Sequence, residues 1–314
     1  MTLKSPRFAC IDVGTNSIKL LIAERTELGI VRVFETSATT RIGEGMQPLA
    51  MRLREEPMRR SLEALTLFAE QILLYEVQTT AVVGTAALRD AENRDDFLQR
   101  VKMRCGLEIE VIPGEEEARL SYLAVRRDAR WRSEPRLLVV DIGGGSTELI
   151  QGKIASEGIA SRISINLGAV KLTERCFRSD PATVAQLDEA NRVCAEAFDF
   201  ATPVEHSDHT PFCVIGVGGT LSTLGGMSLR SSASLETLHG FTLSGDELDR
   251  LINELASRSI LERMSLPGLD AKRADIILAG AIILSQALAH AGSDRLSVSS
   301  RGLRWGVLYD RFFG

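Results

Sequence analysis

Two short segments of this sequence each place an aspartate at the end of an apolar run, one residue before a run of small residues. In IDVGTNS the aspartate is Asp12, and in VDIGGGST it is Asp141. The two segments align residue by residue at an offset of 129 positions (141 − 12). Each segment reads as a strand, a turn with an acid and a second strand. Because this unit occurs twice, it predicts a duplicated fold with a site between its halves.

Both turns have the composition of a phosphate-binding loop. A phosphate needs several converging N–H donors, small residues let the backbone approach it, and Ser or Thr hydroxyls add further donors. A third glycine turn follows an apolar strand and opens a helix, which suits another anion site. For a single copy, a tight hairpin with a capping aspartate is the alternative, and the duplication argues against it. The predicted phosphate-binding residues of the three turns are Gly14, Thr15, Asn16, Ser17, Gly143, Gly144, Gly145, Ser146, Thr147, Gly218, Gly219 and Thr220.

The carboxylates at the strand ends offer the oxygen ligands that Mg²⁺ prefers. Asp12 and Asp141 are therefore predicted to hold a divalent cation, or water bound to it, beside the phosphates. His206 and His209 are a second candidate for metal binding, but they lie in a polar segment without a clear third ligand, so a solvated loop is expected. The P-loop, the dinucleotide fingerprint and the nucleophile elbow do not occur in the sequence.

The elements that position these residues alternate between strands and helices, which predicts an α/β fold. The polar stretch 126–136 is the expected domain boundary. Strands are predicted at 7–13, 17–24, 30–36, 107–112, 137–141, 147–151 and 161–166. TTAVVGTAALRD is predicted to form a strand, a turn and the start of a helix, and 212–226 a buried strand, a glycine turn and a helix. Helices are predicted at 54–75, 115–125, 169–178, 183–199, 245–264, 271–290 and 302–312.

Size and composition limit the function classes. The chain has 314 residues, enough for about two domains, and its net charge of −5 provides no general attraction to nucleic acid or membrane. The apolar segment 276–291 is too short and too polar at its end to span a bilayer, so it predicts a buried helix. No signal peptide is expected. Five scattered cysteines without a Cys-x-x-Cys pattern indicate reduced thiols and a cytoplasmic protein.

The paired segments IDVGTNSIKLLI and VDIGGGSTELI resemble the phosphate loops of the acetate and sugar kinase, heat-shock ATPase and actin superfamily. Within it, GTAALRDAENRDDFL, VIPGEEEARLSYLAV, PGLDAKRADIILAGAIIL and VSSRGLRWGVLYD resemble the exopolyphosphatase/guanosine pentaphosphate phosphohydrolase family, from end to end. The resemblance implies two actin-like (ribonuclease H-like) domains with a duplicated core and a site in the interdomain cleft. Domain I is expected at 1–128 plus 300–314, and domain II at 129–299.

The resemblance also implies an activity. Family members release terminal phosphate from inorganic polyphosphate, or from the 5′ triphosphate of guanosine pentaphosphate, with Mg²⁺ or another divalent cation. Glu117 in GEEEARL matches the family's catalytic base, which would orient and deprotonate a water for in-line attack. Glu148 is the second catalytic acid and is expected to act with Asp141 on metal or water. From composition alone, the three consecutive glutamates also fit the solvated first turn of a helix.

Several basic residues match the family pattern. Arg89 is predicted to contact phosphate, with a surface ion pair to Asp90 or Glu92 as the equal alternative. Lys19 stands where the family usually has arginine, so it keeps the charge for a phosphate contact but loses the planar fork. Arg273 resembles a family arginine, and an ion pair with a neighbouring aspartate explains it as well.

Two departures from the family pattern stand out. Trp305 replaces a usual glutamate and is expected to change packing. Long family members also add a C-terminal helical half, and its absence argues against processive digestion of long chains.

Three other functions remain open at this point. A kinase of the same superfamily would need an acceptor site and an adenosine pocket, and the GEEEAR motif argues against it. A non-catalytic alarmone sensor would bind guanosine tetraphosphate without turnover, and an actin-type scaffold would polymerise. The expected partners are inorganic polyphosphate and guanosine penta- or tetraphosphate, without nucleic acid or membrane, and with a homodimer as an option. The sequence does not rank the two substrates.

Overall fold

The computed structural model describes residues 5–27, 29–46, 51–153, 159–199 and 212–313, so His206 and His209 lie outside the described residues. The chain divides into two compact units. Unit 1 is Met1–Leu120 with Leu303–Gly314, and unit 2 is Ser121–Gly302. The predicted domain boundaries, between 128 and 129 and between 299 and 300, lie eight and three residues from this division and stay a prediction.

Unit 1 is built on a five-stranded sheet. Its strands are β1 (Arg7–Val13), β2 (Ser17–Thr26), β3 (Gly29–Thr39), β4 (Thr79–Gly84) and β5 (Glu110–Val111). The strand order is β3-β2-β1-β4-β5. The first three strands form an antiparallel meander, and β4 is parallel to both β1 and β5. The three predicted strands of the meander are confirmed. The strand predicted at 107–112 was too long, because only two of its residues pair with the edge of β4.

Unit 2 repeats this arrangement on a six-stranded sheet. Its strands are β6 (Arg136–Ile142), β7 (Thr147–Lys153), β8 (Ile159–Ile165), β9 (Cys213–Val217), β10 (Thr242–Ser244) and β11 (Arg295–Ser299). The strand order is β10-β11-β9-β6-β7-β8, so β8-β7-β6-β9-β11 has the order and strand directions of the unit 1 sheet. The duplication predicted from the 129-residue offset is confirmed in the two sheets.

Helices follow the strands in both units, which confirms the α/β prediction. Unit 1 contains α1 (Glu55–Leu74), α2 (Ala86–Asp90), α3 (Arg94–Cys105), the first half of α4 (Gly114–Arg126) and α12 (Leu303–Phe312). Unit 2 contains α5 (Ala169–Cys176), α6 (Val184–Asp199), α7 (Gly219–Ser228), α8 (Leu235–Leu238), α9 (Gly245–Ala256), α10 (Ile260–Arg263) and α11 (Ile277–Ala291).

Two helix predictions need correction. The helix predicted at 245–264 is two helices, because Ser259 begins α10 with a capping box in which its hydroxyl and the Glu262 carboxylate satisfy each other's backbone N–H groups. The helix predicted at 271–290 starts later, at Ile277, after a separate short 3₁₀ turn. Helices α3 and α8 and strands β10 and β11 were not predicted.

Each unit has its own apolar core. In unit 1, residues of β1 and β2 such as Ile11 and Leu20 are buried with Leu65 of α1. In unit 2, α11 is buried along most of its length, which confirms the buried helix predicted from its apolar run. Trp305 is buried in α12. Within the described ranges, no helix combines the length and the apolar character needed to cross a membrane.

Candidate active site

The two predicted phosphate loops are equivalent hairpin turns. The N–H of Gly14 donates to the Ser17 carbonyl at 3.1 Å, and the N–H of Gly143 donates to the Ser146 carbonyl at 2.9 Å. At either glycine, a Cβ would come within 3.1 Å of the carbonyl oxygen that closes the turn. The glycine at the first turn position therefore permits both tight hairpins, as the aligned sequences predicted.

Unit 2 carries two acids directly opposite each other next to its loop. Asp141 on β6 pairs in register with Glu148 on β7, and Glu148 pairs with Ser164 on β8. Side chains of residues that face each other across neighbouring strands lie on the same face of a sheet. The structure therefore brings together the two acids that the sequence placed seven residues apart.

Both acids of unit 2 accept a hydrogen bond from a serine hydroxyl. Ser121 Oγ donates to Asp141 Oδ2 at 2.7 Å, and Ser164 Oγ donates to Glu148 Oε1 at 2.7 Å. Ser121 is 0% exposed and Glu148 is 1% exposed. Neither serine was recognised from the sequence, because Ser121 is 20 residues from its partner and Ser164 is 16.

The third glycine turn lies beside the same acid. Gly218 has a φ of 100°, and a Cβ on it would come within 3.0 Å of Asp141 Oδ1. A Cβ on Gly219 would collide with the Arg273 guanidinium, and Thr220 is buried. Of the two aspartates next to Arg273 in sequence, Asp270 lies 3.8 Å from its guanidinium. The predicted turns of unit 2 and Arg273 are thus grouped around Asp141.

Helix α5 holds the second loop in place. Its first N–H groups donate to loop carbonyls, from Ala169 to Gly143 at 3.0 Å and from Val170 to Gly144 at 2.9 Å. Gly168, just before α5, lies so close to the loop that a Cβ on it would be 2.5 Å from the Gly144 carbonyl. The loop conformation therefore depends on the turn between β8 and α5, which sequence reasoning had not connected with it.

The facing residues on β6, β7 and β8 of unit 2 form a row across the sheet, and unit 1 has the equivalent row with different charges. Asp12 pairs in register with Lys19, and Lys19 pairs with Ser37. Asp12 is 7% exposed, and its Oδ2 lies 4.0 Å from the Lys19 ammonium. Burial raises the pKa of Asp12, and the charges of Lys19 and Arg304 oppose that rise. The first loop thus adjoins an acid and a cation, whereas the second adjoins two acids.

Glu117 is distinguished from its neighbours by burial. It lies in the first turn of α4 and is 8% exposed, whereas Glu115 is exposed and Glu116 pairs with Arg119 at 2.7 Å. Arg89 Nη1 donates to Glu117 Oε2 at 3.2 Å and to the Ile112 carbonyl at 3.0 Å. The solvated acidic turn describes Glu115 and not Glu117. The ion pair that the structure shows for Arg89 is with Glu117, and not with Asp90 or Glu92 as the alternative to a phosphate contact had it.

The acids of unit 2 fit a magnesium ion. Mg²⁺ is held by one or two carboxylates, while water and substrate phosphates fill its other positions. Asp141 and Glu148 supply two carboxylates on one sheet face beside a glycine loop. In the part of the chain that the structure describes, no group of three or more His, Cys, Asp or Glu side chains is arranged for metal binding. The assignment of Asp12 as a further metal ligand stays a prediction.

Comparison with known proteins adds independent evidence. Residues 21–312 match the model of a family described as the Ppx/GppA phosphatase family. Exopolyphosphatase 2 of Mycobacterium tuberculosis is 33% identical over 96% of this chain and 97% of that protein. The guanosine-5′-triphosphate,3′-diphosphate pyrophosphatase of Photobacterium profundum is 30% identical over 98% of this chain and 59% of that protein.

Solved structures agree with these matches. The PPX-GPPA enzyme of Aquifex aeolicus superposes with a TM-score of 0.79 at 31% identity, over 98% of this chain and 99% of that one. The likeness confirms the predicted class of two actin-like domains with a duplicated core.

Proposed function

Because this chain belongs to the Ppx/GppA phosphatase family, we propose that it releases terminal phosphate from inorganic polyphosphate, from the 5′ end of guanosine pentaphosphate, or from both. The chain is a hydrolase of phosphoanhydride bonds. The two substrates are taken from the names of its relatives, one an exopolyphosphatase and the other a guanosine-5′-triphosphate,3′-diphosphate pyrophosphatase. Both substrates present a terminal phosphoanhydride to the same kind of loop.

The burial of Glu117 carries the proposed mechanism. A carboxylate that is 8% exposed has lost most of its hydration, and this one is held by Arg89 at a defined position. Such a group can accept a proton from a water molecule and orient that water for in-line attack on phosphorus. We assign Glu117 as the general base, as the family resemblance predicted.

The glycine turns and the basic residues would bind the phosphates. Backbone N–H groups of the turns, with the hydroxyls of Ser17, Ser146 and Thr220, would donate hydrogen bonds to phosphate oxygens. Lys19 would add charge beside the first loop, and Arg89 would contact phosphate in addition to Glu117. These contacts hold the substrate and stabilise charge that grows on the leaving oxygen.

Family enzymes generally use divalent cations, and we propose Mg²⁺ for this chain. Asp141 and Glu148 would hold it, with Asp12 as the third candidate. A bound Mg²⁺ would neutralise phosphate charge and help to orient the attacked group. The predictions of a cytoplasmic location and of a homodimer remain open.

Phosphate release by the purified protein tests the proposal. The substrates would be long polyphosphate, short polyphosphate and guanosine pentaphosphate, each with Mg²⁺. Glu117→Gln should lower the rate by about 10²- to 10⁴-fold, because the amide cannot accept the proton. Glu115→Gln, which removes an exposed charge two residues away, is the matched control and should retain the wild-type rate.

Each outcome has a distinct meaning. Release from polyphosphate alone would define an exopolyphosphatase, and comparable release from the nucleotide would add alarmone hydrolysis. Near-full activity of Glu117→Gln would contradict the assignment of the base. A folded protein that releases nothing, yet binds guanosine tetraphosphate by calorimetry, would be the alarmone sensor. Phosphorylation of a metabolite by ATP would identify the kinase.

A further inference from the structure

Two serine hydroxyls donate hydrogen bonds of equal length to the two acids of unit 2. Ser121 Oγ lies 2.7 Å from Asp141 Oδ2, and Ser164 Oγ lies 2.7 Å from Glu148 Oε1. A hydroxyl that donates to a carboxylate at this distance makes a short, charge-assisted hydrogen bond, about twice as strong as a neutral one. A serine has a single O–H group, and in both residues it is directed at an acid.

The hydroxyls offset an electrostatic repulsion between two acids in this row of facing residues. Like charges directly opposite each other on neighbouring strands repel, and Asp141 faces Glu148 in this way. Ser164 is in register with Glu148 on the outer strand β8, and Ser121 reaches Asp141 from α4. Each donor therefore comes from outside the acid pair and stabilises one member of it.

The equivalent row in unit 1 supports a specific role for these donors. There the residue opposite the aspartate is Lys19, so the two charges attract. Ser37, at the row position of Ser164, is exposed and lies opposite a lysine. In the described part of both rows, a buried acid opposite the aspartate occurs only in unit 2, together with the inward-directed serine.

We propose that Ser121 and Ser164 are positioning residues, which fix the Asp141 and Glu148 carboxylates in the orientation that binds a divalent cation. Hydrogen bonds to metal-binding groups orient them, and removing such a bond commonly costs about 10- to 100-fold in metal affinity or activity. The inference rests on the proposed function in one respect only, namely that this acid pair is the metal site.

Binding of Mn²⁺, a paramagnetic substitute for Mg²⁺, tests this role without turnover. Titration of the purified protein, followed by the electron paramagnetic resonance signal of free Mn²⁺, gives the dissociation constant. Ser121→Ala and Ser164→Ala should each weaken binding by about 10-fold. Ser164→Thr keeps the hydroxyl in a strand position that suits a β-branched residue, and it should restore wild-type affinity.

Two control variants distinguish the loss of a hydrogen bond to an acid from the loss of any serine hydroxyl. Ser61→Ala removes a hydroxyl that is 0% exposed in α1 and has no hydrogen-bond partner among the described residues. Ser161→Ala alters β8 three residues before Ser164, on the opposite face of the strand. Both controls should bind Mn²⁺ like the wild type. Thermal unfolding confirms that each variant is folded, and if Ser121→Ala fails to fold, the Ser164 variants carry the test.

The outcomes distinguish this inference from the proposed function. Alanine variants that bind Mn²⁺ as tightly as the wild type, or a wild type that binds no Mn²⁺, would overturn the serine role. Loss of Mn²⁺ binding in the alanine variants, with rescue by threonine, would support it even if the wild type released no phosphate. In an active enzyme, the Mg²⁺ concentration for half-maximal rate should rise by the same factor as the Mn²⁺ dissociation constant.

Discussion

Replacing Gly168 with alanine should damage the second phosphate loop without straining the backbone at the site of change. Gly168 has φ −131° and ψ 175°, an extended conformation that alanine adopts freely. The new Cβ would lie 2.5 Å from the carbonyl carbon and oxygen of Gly144 and 2.6 Å from the nitrogen of Gly145. These are backbone atoms, so a side-chain rotation cannot relieve the contact.

The distances give the size of the effect. Ordinary contact begins near 3.4 Å, so the loop and the start of α5 must separate by about 0.9 Å (3.4 − 2.5). That movement stretches the hydrogen bonds from Ala169 to Gly143 and from Val170 to Gly144. Each such bond makes a net contribution of about 0.5–1.5 kcal/mol to the stability of the folded state. We expect a loss of about 1–3 kcal/mol in the free energy of unfolding. A shift of about 1 Å in a binding loop can also lower kcat/KM by about 10²-fold.

Urea unfolding and phosphate release would both be measured, with Gly245→Ala as the control. Gly245 also has a backbone that accepts alanine, and a Cβ there meets nothing closer than 3.4 Å. The control should be neutral or slightly stabilising in its helix. If Gly168→Ala unfolds at the same urea concentration as the wild type and keeps its kcat/KM, the close packing of this turn on the loop does not set the loop conformation.

Two further predictions concern buried charges. Arg89→Met should lower the free energy of unfolding by about 1–3 kcal/mol. This lies between the values typical of exposed and of buried ion pairs, because the side chains of Arg89 and Glu117 are 24% and 10% exposed. Urea unfolding would check this, and an unchanged midpoint would show that the pair contributes nothing. Burial raises the pKa of Asp128. The His239 imidazole 3.1 Å from its Oδ2, the hydrogen bond from the Arg130 backbone N–H and the charge of Arg301 outweigh that effect and hold the pKa below the ordinary value of 3.8. Since the folded state then binds this proton more weakly than the unfolded state, the stabilisation is present above 3.8 and is lost as the pH falls below it. Asp128→Asn should therefore be less stable than the wild type at pH 7, with a difference that shrinks toward pH 3. A difference that is independent of pH would refute this.

The sequence by itself determined the duplicated hairpins, their glycine turns and the aspartates that end their first strands. These features are local, since a run of apolar residues followed by small ones specifies a strand and a turn over a few neighbouring positions. The same locality explains why most strands and helices lie where the patterns predicted them. The split between α9 and α10 was missed because apolar spacing continues across it, while the break is made by the cap at Ser259.

Only the tertiary structure decided which polar groups of the candidate site work together. Three consecutive glutamates look alike in the sequence, and the packing of α4 buries Glu117 alone among them. Ser121 and Ser164 find their acids through helix packing and strand register, across 20 and 16 positions of chain. Hydrogen bonds and burial depend on distances in space, which a linear pattern of residue types does not contain.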